Sequence, residues 1–248
     1  RLHLTGEIYG QESTSMLPVE ALRAALAWSS RRAGRRDESP QGMPSEGADG
    51  LQVLDLCAAP GSKATQLGAW LMDRRRGGSS SSSSSLLVAN EINSKRAQLL
   101  RANACRAGLT NAMLTNIDGR DIGSLAPEAF DAVLLDAPCS GEGNVRKDSP
   151  VFQRWCHAGH AQQLASRAEL QRGLIDSAWR ALRPGGCLVY STCTLNAYEN
   201  EAQCRKFLET RPAARLVDLG ALMQLPELAT QEGFLRCWPQ ALDCEGFF

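Results

Sequence analysis

Three features of the sequence predict a doubly wound α/β fold with a mostly parallel sheet. Short apolar runs alternate with longer amphipathic stretches, glycine- or proline-marked turns separate them, and runs such as Ala132–Leu135 are continuously apolar. Strands alternating with helices of this length imply βαβ units, and an unbroken apolar strand suits a sheet covered on both faces.

The predicted strands are Leu51–Leu56, Leu86–Asn90, Ala112–Thr115, Ala132–Asp136 and Cys187–Ser191. Each is a short Leu-rich or β-branched run closed by a turn. Helical patterns lie between and after them, notably over Ser94–Ala107, Ala165–Leu182 and Glu199–Thr210. Two segments interrupt the order. Ser30–Gly50 is rich in Arg, Ser, Gly and Pro, and Ser79–Ser85 is an unbroken serine run close to Arg74–Arg76. Neither can bury apolar area, so residues 30–50 and 74–85 are predicted as flexible insertions in one domain spanning residues 1–248. The arginine clusters Arg31–Arg36 and Arg74–Arg76 read as solvated loops or as phosphate contacts.

Composition narrows the function classes. The chain is 43% hydrophobic, enough for one sizeable core, and no apolar run approaches the ~20 residues of a membrane helix. Its formal net charge is zero, which does not advertise nucleic-acid binding; any such affinity must come from local basic patches or from parts outside this sequence. Nine cysteines without a small, loop-rich scaffold indicate reduced, intracellular thiols, with cytoplasm, nucleus and organelle all open. The N-terminal residues lack a signal-peptide pattern and there is no initiator Met, so the chain is expected to come from a longer protein.

In an open parallel sheet, ligands bind beyond the carboxyl ends of the strands, near the point where strand order reverses. The first strand passes into Cys57-Ala58-Ala59-Pro60-Gly61-Ser62-Lys63, whose small residues let backbone approach a ligand. The helix that follows can aim free N–H groups at a carboxylate or phosphate. The loop is neither a dinucleotide nor a P-loop pattern. Glu91 ends the second strand, where a carboxylate can take both hydroxyls of a ribose. Asp118 follows the third and can accept from an exocyclic amine; Asp136 ends the fourth. Singly, each acid also reads as a helix cap or turn residue. Together they describe a site for an adenosine-containing cofactor with an amino-acid end, as S-adenosylmethionine has.

Two cysteines lie on loops at the same end. The fourth strand runs into Asp136-Ala137-Pro138-Cys139-Ser140-Gly141-Glu142-Gly143, the fifth into Thr192-Cys193-Thr194. If those strands are neighbours, both thiols sit beside the cofactor's methyl group. Carbon 5 of cytosine is too electron-poor to take a methyl group unaided. A thiolate added to carbon 6 makes carbon 5 nucleophilic, so one hard step becomes two easier ones. An acid near ring nitrogen 3 would assist, and Asp136 is the candidate. The attacking thiol, ordinarily near pKa ~8.5, would need an electropositive setting.

At these residues the sequence resembles the Sun-domain family of RNA cytosine-5 methyltransferases. The resemblance is carried by Asp55–Lys63, by Leu134–Gly143, and by Leu182-Arg183-Pro184-Gly185-Gly186 followed by Tyr190–Thr194, with weaker similarity from Tyr9 to Phe248. It implies a Rossmann-like class I methyltransferase fold with a seven-stranded sheet, S-adenosylmethionine as cofactor, and RNA, foremost ribosomal RNA, as partner. It also implies that Cys193 attacks carbon 6, that Cys139 assists release, and that Asp136 contacts the cytosine or the methionine end of the cofactor. Cys57, Ala58, Ala59, Pro60, Gly61, Ser62 and Lys63, with Glu91, Asp118 and Asp136, would hold the cofactor, and Lys63 would also face the base. Arg146-Lys147 would contact phosphates or stay solvated. No metal is expected, and a monomer is. Measured against the family's pattern, the N-terminal RNA-positioning segment and a C-terminal RNA-binding region are missing.

Rival readings remain open at this stage. A DNA cytosine-5 methyltransferase would use Cys139 as nucleophile and leave Cys193 unexplained. Transfer RNA could replace ribosomal RNA, and a non-catalytic RNA-binding scaffold could keep the fold. Cys156, His157 and His160 are closely spaced but lack a second ligand pair for zinc.

Overall fold

The computed structural model describes residues 8–33, 50–76, 85–148, 150–151, 153 and 159–248. Its elements are helix α1 (Ser13–Ala33), strand β1 (Gln52–Asp55), α2 (Ser62–Arg76), β2 (Leu86–Asn90), α3 (Ser94–Arg106), β3 (Ala112–Thr115), α4 (Gly119–Leu125) and β4 (Phe130–Asp136). A 3₁₀ turn (Glu142–Arg146), α5 (His160–Ala181), β5 (Leu182–Ser191), α6 (Glu201–Thr210) and α7 (Leu219–Met223) complete them.

The five strands pair in parallel in the order β3-β2-β1-β4-β5. Order reverses between β1 and β4, which places the switch point beside Asp55 and Asp136. Strand residues alternate between two cores because successive side chains leave a strand on opposite faces. Val53, Ala132 and Leu134 pack with Leu22 of α1 and with Leu67 and Leu71 of α2. Leu54, Val133 and Leu135 pack with Leu174, Ile175 and Ala178 of α5. Most of these are fully buried, and each such Leu or Val contributes roughly 2 kcal/mol.

The expected α/β class with helices on both faces is what the structure shows. The sheet has five strands among the described residues, however, not seven. Beyond α6 the chain forms α7, turns and two isolated antiparallel bridges, Ala229–Leu235 and Cys237–Phe247. Pro226 and Pro239 interrupt this stretch, and proline cannot donate to a sheet ladder.

Several boundaries also move. β5 begins at Leu182 rather than Cys187, because buried Asp131 of β4 accepts from Arg183 Nη1 (2.7 Å) and holds the extra passage to the sheet. Asp131 also accepts from the Gln52 N–H (2.7 Å), tying the start of β1 to β4. The first predicted insertion is helical through Ala33, and residues 74–76 belong to α2. Arginine is a good helix former, so the basic runs extend the helices they follow. Arg74 stacks on Trp70 at 5.5 Å, and Ser85 accepts from the Leu51 N–H. Residues 34–49 and 77–84, hence most of both predicted insertions, lie outside the described residues, as do Cys156 and His157.

Candidate active site

The carboxyl ends of β1, β2 and β3 are pinned together by one side chain. Buried Asn90 donates to the Leu56 and Ile117 carbonyls (3.2 and 3.0 Å) and accepts from Thr115 Oγ1 (2.9 Å). The loop after β1 is held from outside. Arg96 donates to the Ala59 carbonyl, Asn103 to that of Pro60, and Gln11 to that of Ser62. Gly61 sits at φ +112°, a conformation that favours glycine, and a β-carbon there would lie a tight 3.1 Å from Leu100 Cδ1.

Three carboxylates stand around this loop. Glu91 is almost fully buried, accepts from the Asn93 N–H (2.9 Å) and lies 3.4 Å from Arg96 Nη1. Asp118 caps α4 by accepting from the Arg120 N–H and is also gripped by the Arg120 guanidinium, so the cap reading of this acid holds as well. Asp55 is the exception, one that the sequence reading quoted only within a motif. It is 1% exposed, and neither oxygen meets a well-formed hydrogen bond; only the Cys57 N–H approaches, outside good geometry. Burial pushes its carboxyl up to about 7, against the opposing pull of Lys63. Burial likewise raises the Cys57 thiol far above its usual range, so that sulfur stays protonated.

At the other half of the edge the two predicted sulfurs meet. Cys139 Sγ and Cys193 Sγ are 3.4 Å apart. Asn144 Nδ2 lies 3.3 Å from Cys193 Sγ as a further donor. The bond from Cys139 lowers the Cys193 thiol below its ordinary value, with help from Asn144 and the Lys63 charge, against burial and Asp136. The same bond, with burial, raises Cys139. Asp136 completes the group. It accepts from Lys63 Nζ (2.7 Å) and from Ser191 Oγ (2.9 Å), while the Lys63 ammonium stands 5.1 Å from the Phe247 ring.

The Pro-Cys loop is anchored by Glu199, which the sequence pattern places at the head of a helix. The helix begins at Glu201, and Glu199 turns inward, fully buried. It accepts from the Ser140 N–H (3.0 and 3.3 Å) and from Gln171 Nε2 (2.9 Å), and Gln171 also donates to the Pro138 carbonyl. Ser140 Oγ and Thr194 Oγ1 clasp the loops at 2.7 Å. The tail forms the wall: the Gly143 N–H donates to the Cys193 carbonyl, the Gly246 N–H to that of Gly143, and Thr192 and Phe248 exchange both backbone bonds. A β-carbon on Gly143 would lie 2.0 Å from the Gly246 oxygen, so no larger residue fits.

The family described as 16S rRNA methyltransferase RsmB/F matches this chain over residues 44–248. The chain belongs to that family. It is 46% identical, over 99% of its own length, to ribosomal RNA small subunit methyltransferase F of Escherichia coli O139:H28 (strain E24377A / ETEC), and covers 44% of that protein. The protein of the same description from Enterobacter sp. (strain 638) is 45% identical with equal coverage. The chain thus spans less than half the length of the curated relatives it matches. Among solved structures it resembles PH0851 (TM-score 0.74, 25% identity, all of this chain and 47% of that one). It also resembles a methyltransferase homolog protein from Pyrococcus horikoshii (0.62, 27%, all of this chain and 68% of that one). NSun6 from the same organism, solved with SFG, shares the fold at 24% identity (TM-score 0.72, all of this chain and 53% of that one).

In this RsmB/F-family chain the structure brings Cys139, Cys193, Asp136 and Lys63 into one group, with Asp55 and Glu91 acting electrostatically on the adjoining loop. Arg146 and Lys147 are engaged by acids instead of standing free. Arg146 pairs with Asp243 (2.7 Å), and Lys147 with Glu245 (2.9 Å) and Glu12 (3.5 Å). An apolar cleft of about 1000 Å³ runs along β5 between Trp28, Trp179, Phe207 and Phe234 and reaches Ser191 and Phe247, but neither cysteine of the pair lines it. Among the described residues, no His/Cys/Asp/Glu group could hold a metal ion, no cysteine is bridged, and no helix is long and apolar enough to cross a membrane.

Proposed function

We propose that this chain is the catalytic domain of an S-adenosylmethionine-dependent enzyme that methylates carbon 5 of cytosine in RNA, ribosomal RNA first among candidates. The observation that carries the reading is the 3.4 Å approach of Cys139 and Cys193 beside the Lys63–Asp136 pair. Family membership supports the reaction class and the ribosomal substrate.

The residues fit the cofactor. Asp55 offers a buried carboxyl that meets no well-formed hydrogen bond, suited to the cationic ammonium of the amino-acid end. The Gly61 loop leaves room for close backbone approach, Glu91 suits the ribose hydroxyls, and Asp118 suits the adenine amine. Bound there, the cofactor supplies an electrophilic methyl group.

The chain's own residues supply the rest. Cys193, its thiol lowered by its neighbours, adds to carbon 6 and makes carbon 5 nucleophilic. Asp136, oriented by Ser191 and bonded to Lys63, presents the polar end of that pair to the ring nitrogen. Cys139, once its own thiol proton has passed to solvent, takes the carbon 5 proton as Cys193 leaves. Carbon 6 is out of reach in a stacked helix, so the target cytosine lies in a loop or is flipped out. The Asn144 amide, a donor 3.3 Å from Cys193 Sγ, favours this assignment over its reverse.

Trapping with RNA that carries 5-fluorocytosine tests it. The chain forms a covalent adduct, Cys139→Ala keeps it, and Cys193→Ala loses it. An adduct that survives Cys193→Ala reverses the assignment.

A further inference from the structure

Asn144 stands in the 3₁₀ turn with its amide nitrogen 3.3 Å from Cys193 Sγ. Backbone bonds on both sides fix it there. Its N–H donates to the Gly141 carbonyl, its own carbonyl accepts from Lys147 and Asp148, and the preceding Gly143 N–H holds the Cys193 carbonyl at 2.9 Å. The amide therefore points at the sulfur without rearrangement.

Either sulfur of the Cys139–Cys193 pair can donate the bond between them, and Cys139 gives its own proton to solvent before it can act as base. At the release step the carbon 5–hydrogen bond breaks and its proton passes to the Cys139 thiolate. The electron pair forms the carbon 5–carbon 6 double bond, the carbon 6–sulfur bond breaks, and Cys193 departs as thiolate. Cys139 enters this step without a hydrogen to donate. An amide keeps its hydrogens throughout.

We propose that Asn144 is a catalytic residue that donates a hydrogen bond to the Cys193 thiolate both as it attacks and as it leaves. The proposal rests on Cys193 being the nucleophile. Such a bond makes each thiolate less reactive as well as more abundant. With a Brønsted slope of roughly 0.4–0.5, the gain in population exceeds the loss in reactivity.

The test is alkylation of Cys193 by iodoacetamide across pH, read by peptide mass spectrometry on the whole chain without RNA or cofactor. Asn144→Leu keeps the shape and removes the donor. Its half-maximal pH rises by about one unit, and alkylation at pH 7 slows about threefold. Asn144→Asp, nearly isosteric and polar enough to keep the turn, moves further the same way. In a Cys139→Ala background, where the amide is the remaining direct donor, the Asn144→Leu shift grows. Unchanged profiles for both variants in both backgrounds overturn the proposal. Fluorocytosine trapping separately decides the parent reading: attachment through Cys139 overturns that reading and the catalytic role of Asn144 with it.

Discussion

Glu199 and Asp55 are both buried carboxylates at the carboxyl edge of one sheet, yet their surroundings are opposite. Glu199 receives the Ser140 N–H and the Gln171 amide, which anchor the Pro138–Ser140 loop, and the Ser140–Thr194 hydroxyl pair joins that loop to Thr192–Thr194. Asp55 receives no well-formed bond. The sulfur half of the edge is finished by the protein itself, so its geometry is set before any substrate arrives. The half around β1–β3 holds a buried carboxyl without such bonds, which the proposed cofactor's ammonium would complete. Reacting groups need fixed positions, whereas a binding site gains from groups that only the ligand satisfies.

Four experiments can break or sharpen that contrast. Cys193→Ala should lower turnover on the order of 10⁴-fold, measured in single-turnover methyl transfer; a small loss would mean the finished half is not where chemistry occurs. Glu199→Ala strands two buried donors and opens a cavity. Denaturant unfolding should show a loss of about 3 kcal/mol, with activity falling alongside.

Asp55→Asn addresses the open half. The folded value of about 7 lies above the unfolded value of about 4, so the folded state binds the extra proton between them. Stability from this group is full below about pH 4 and is lost as pH rises through about 7. Asn removes that loss, so the ligand-free variant should be more stable than the parent at pH 8 by a few kcal/mol, read by thermal unfolding. The same variant should bind S-adenosylmethionine more weakly in calorimetry. Gain on one axis and loss on the other is the signature of a residue reserved for ligand. Asp118→Ser is the mildest test. A serine keeps the cap, so stability stays within about 0.5 kcal/mol, while affinity falls about fivefold if the carboxylate touches the adenine amine.

The strands and the two sulfurs were legible in the sequence because both signals are local. Leu86–Asn90 and Ala112–Thr115 match their predicted bounds, and the Pro-Cys and Thr-Cys loops follow adjacent strands β4 and β5. The missed features depend on distant partners. Glu199 looks like any helix-start acid until Gln171 and Ser140 are placed beside it, and Asn144 has no sequence mark that aims an amide at sulfur. Asp55 sat in plain view within a motif, but its lack of a partner is a property of packing. Two strands too many were expected because a family pattern supplied them, whereas residues 211–248 make isolated bridges.

The bonds joining Gly143, Cys193 and Gly246, with those between Thr192 and Phe248, link three stretches far apart along the chain. A protein synthesised from its N-terminus makes residues 246–248 after both cysteine loops. Until residues 246–248 dock, the Thr-Cys loop lacks the wall that aligns it. The sulfurs therefore come into register only once residues 246–248, made after both cysteines, have docked.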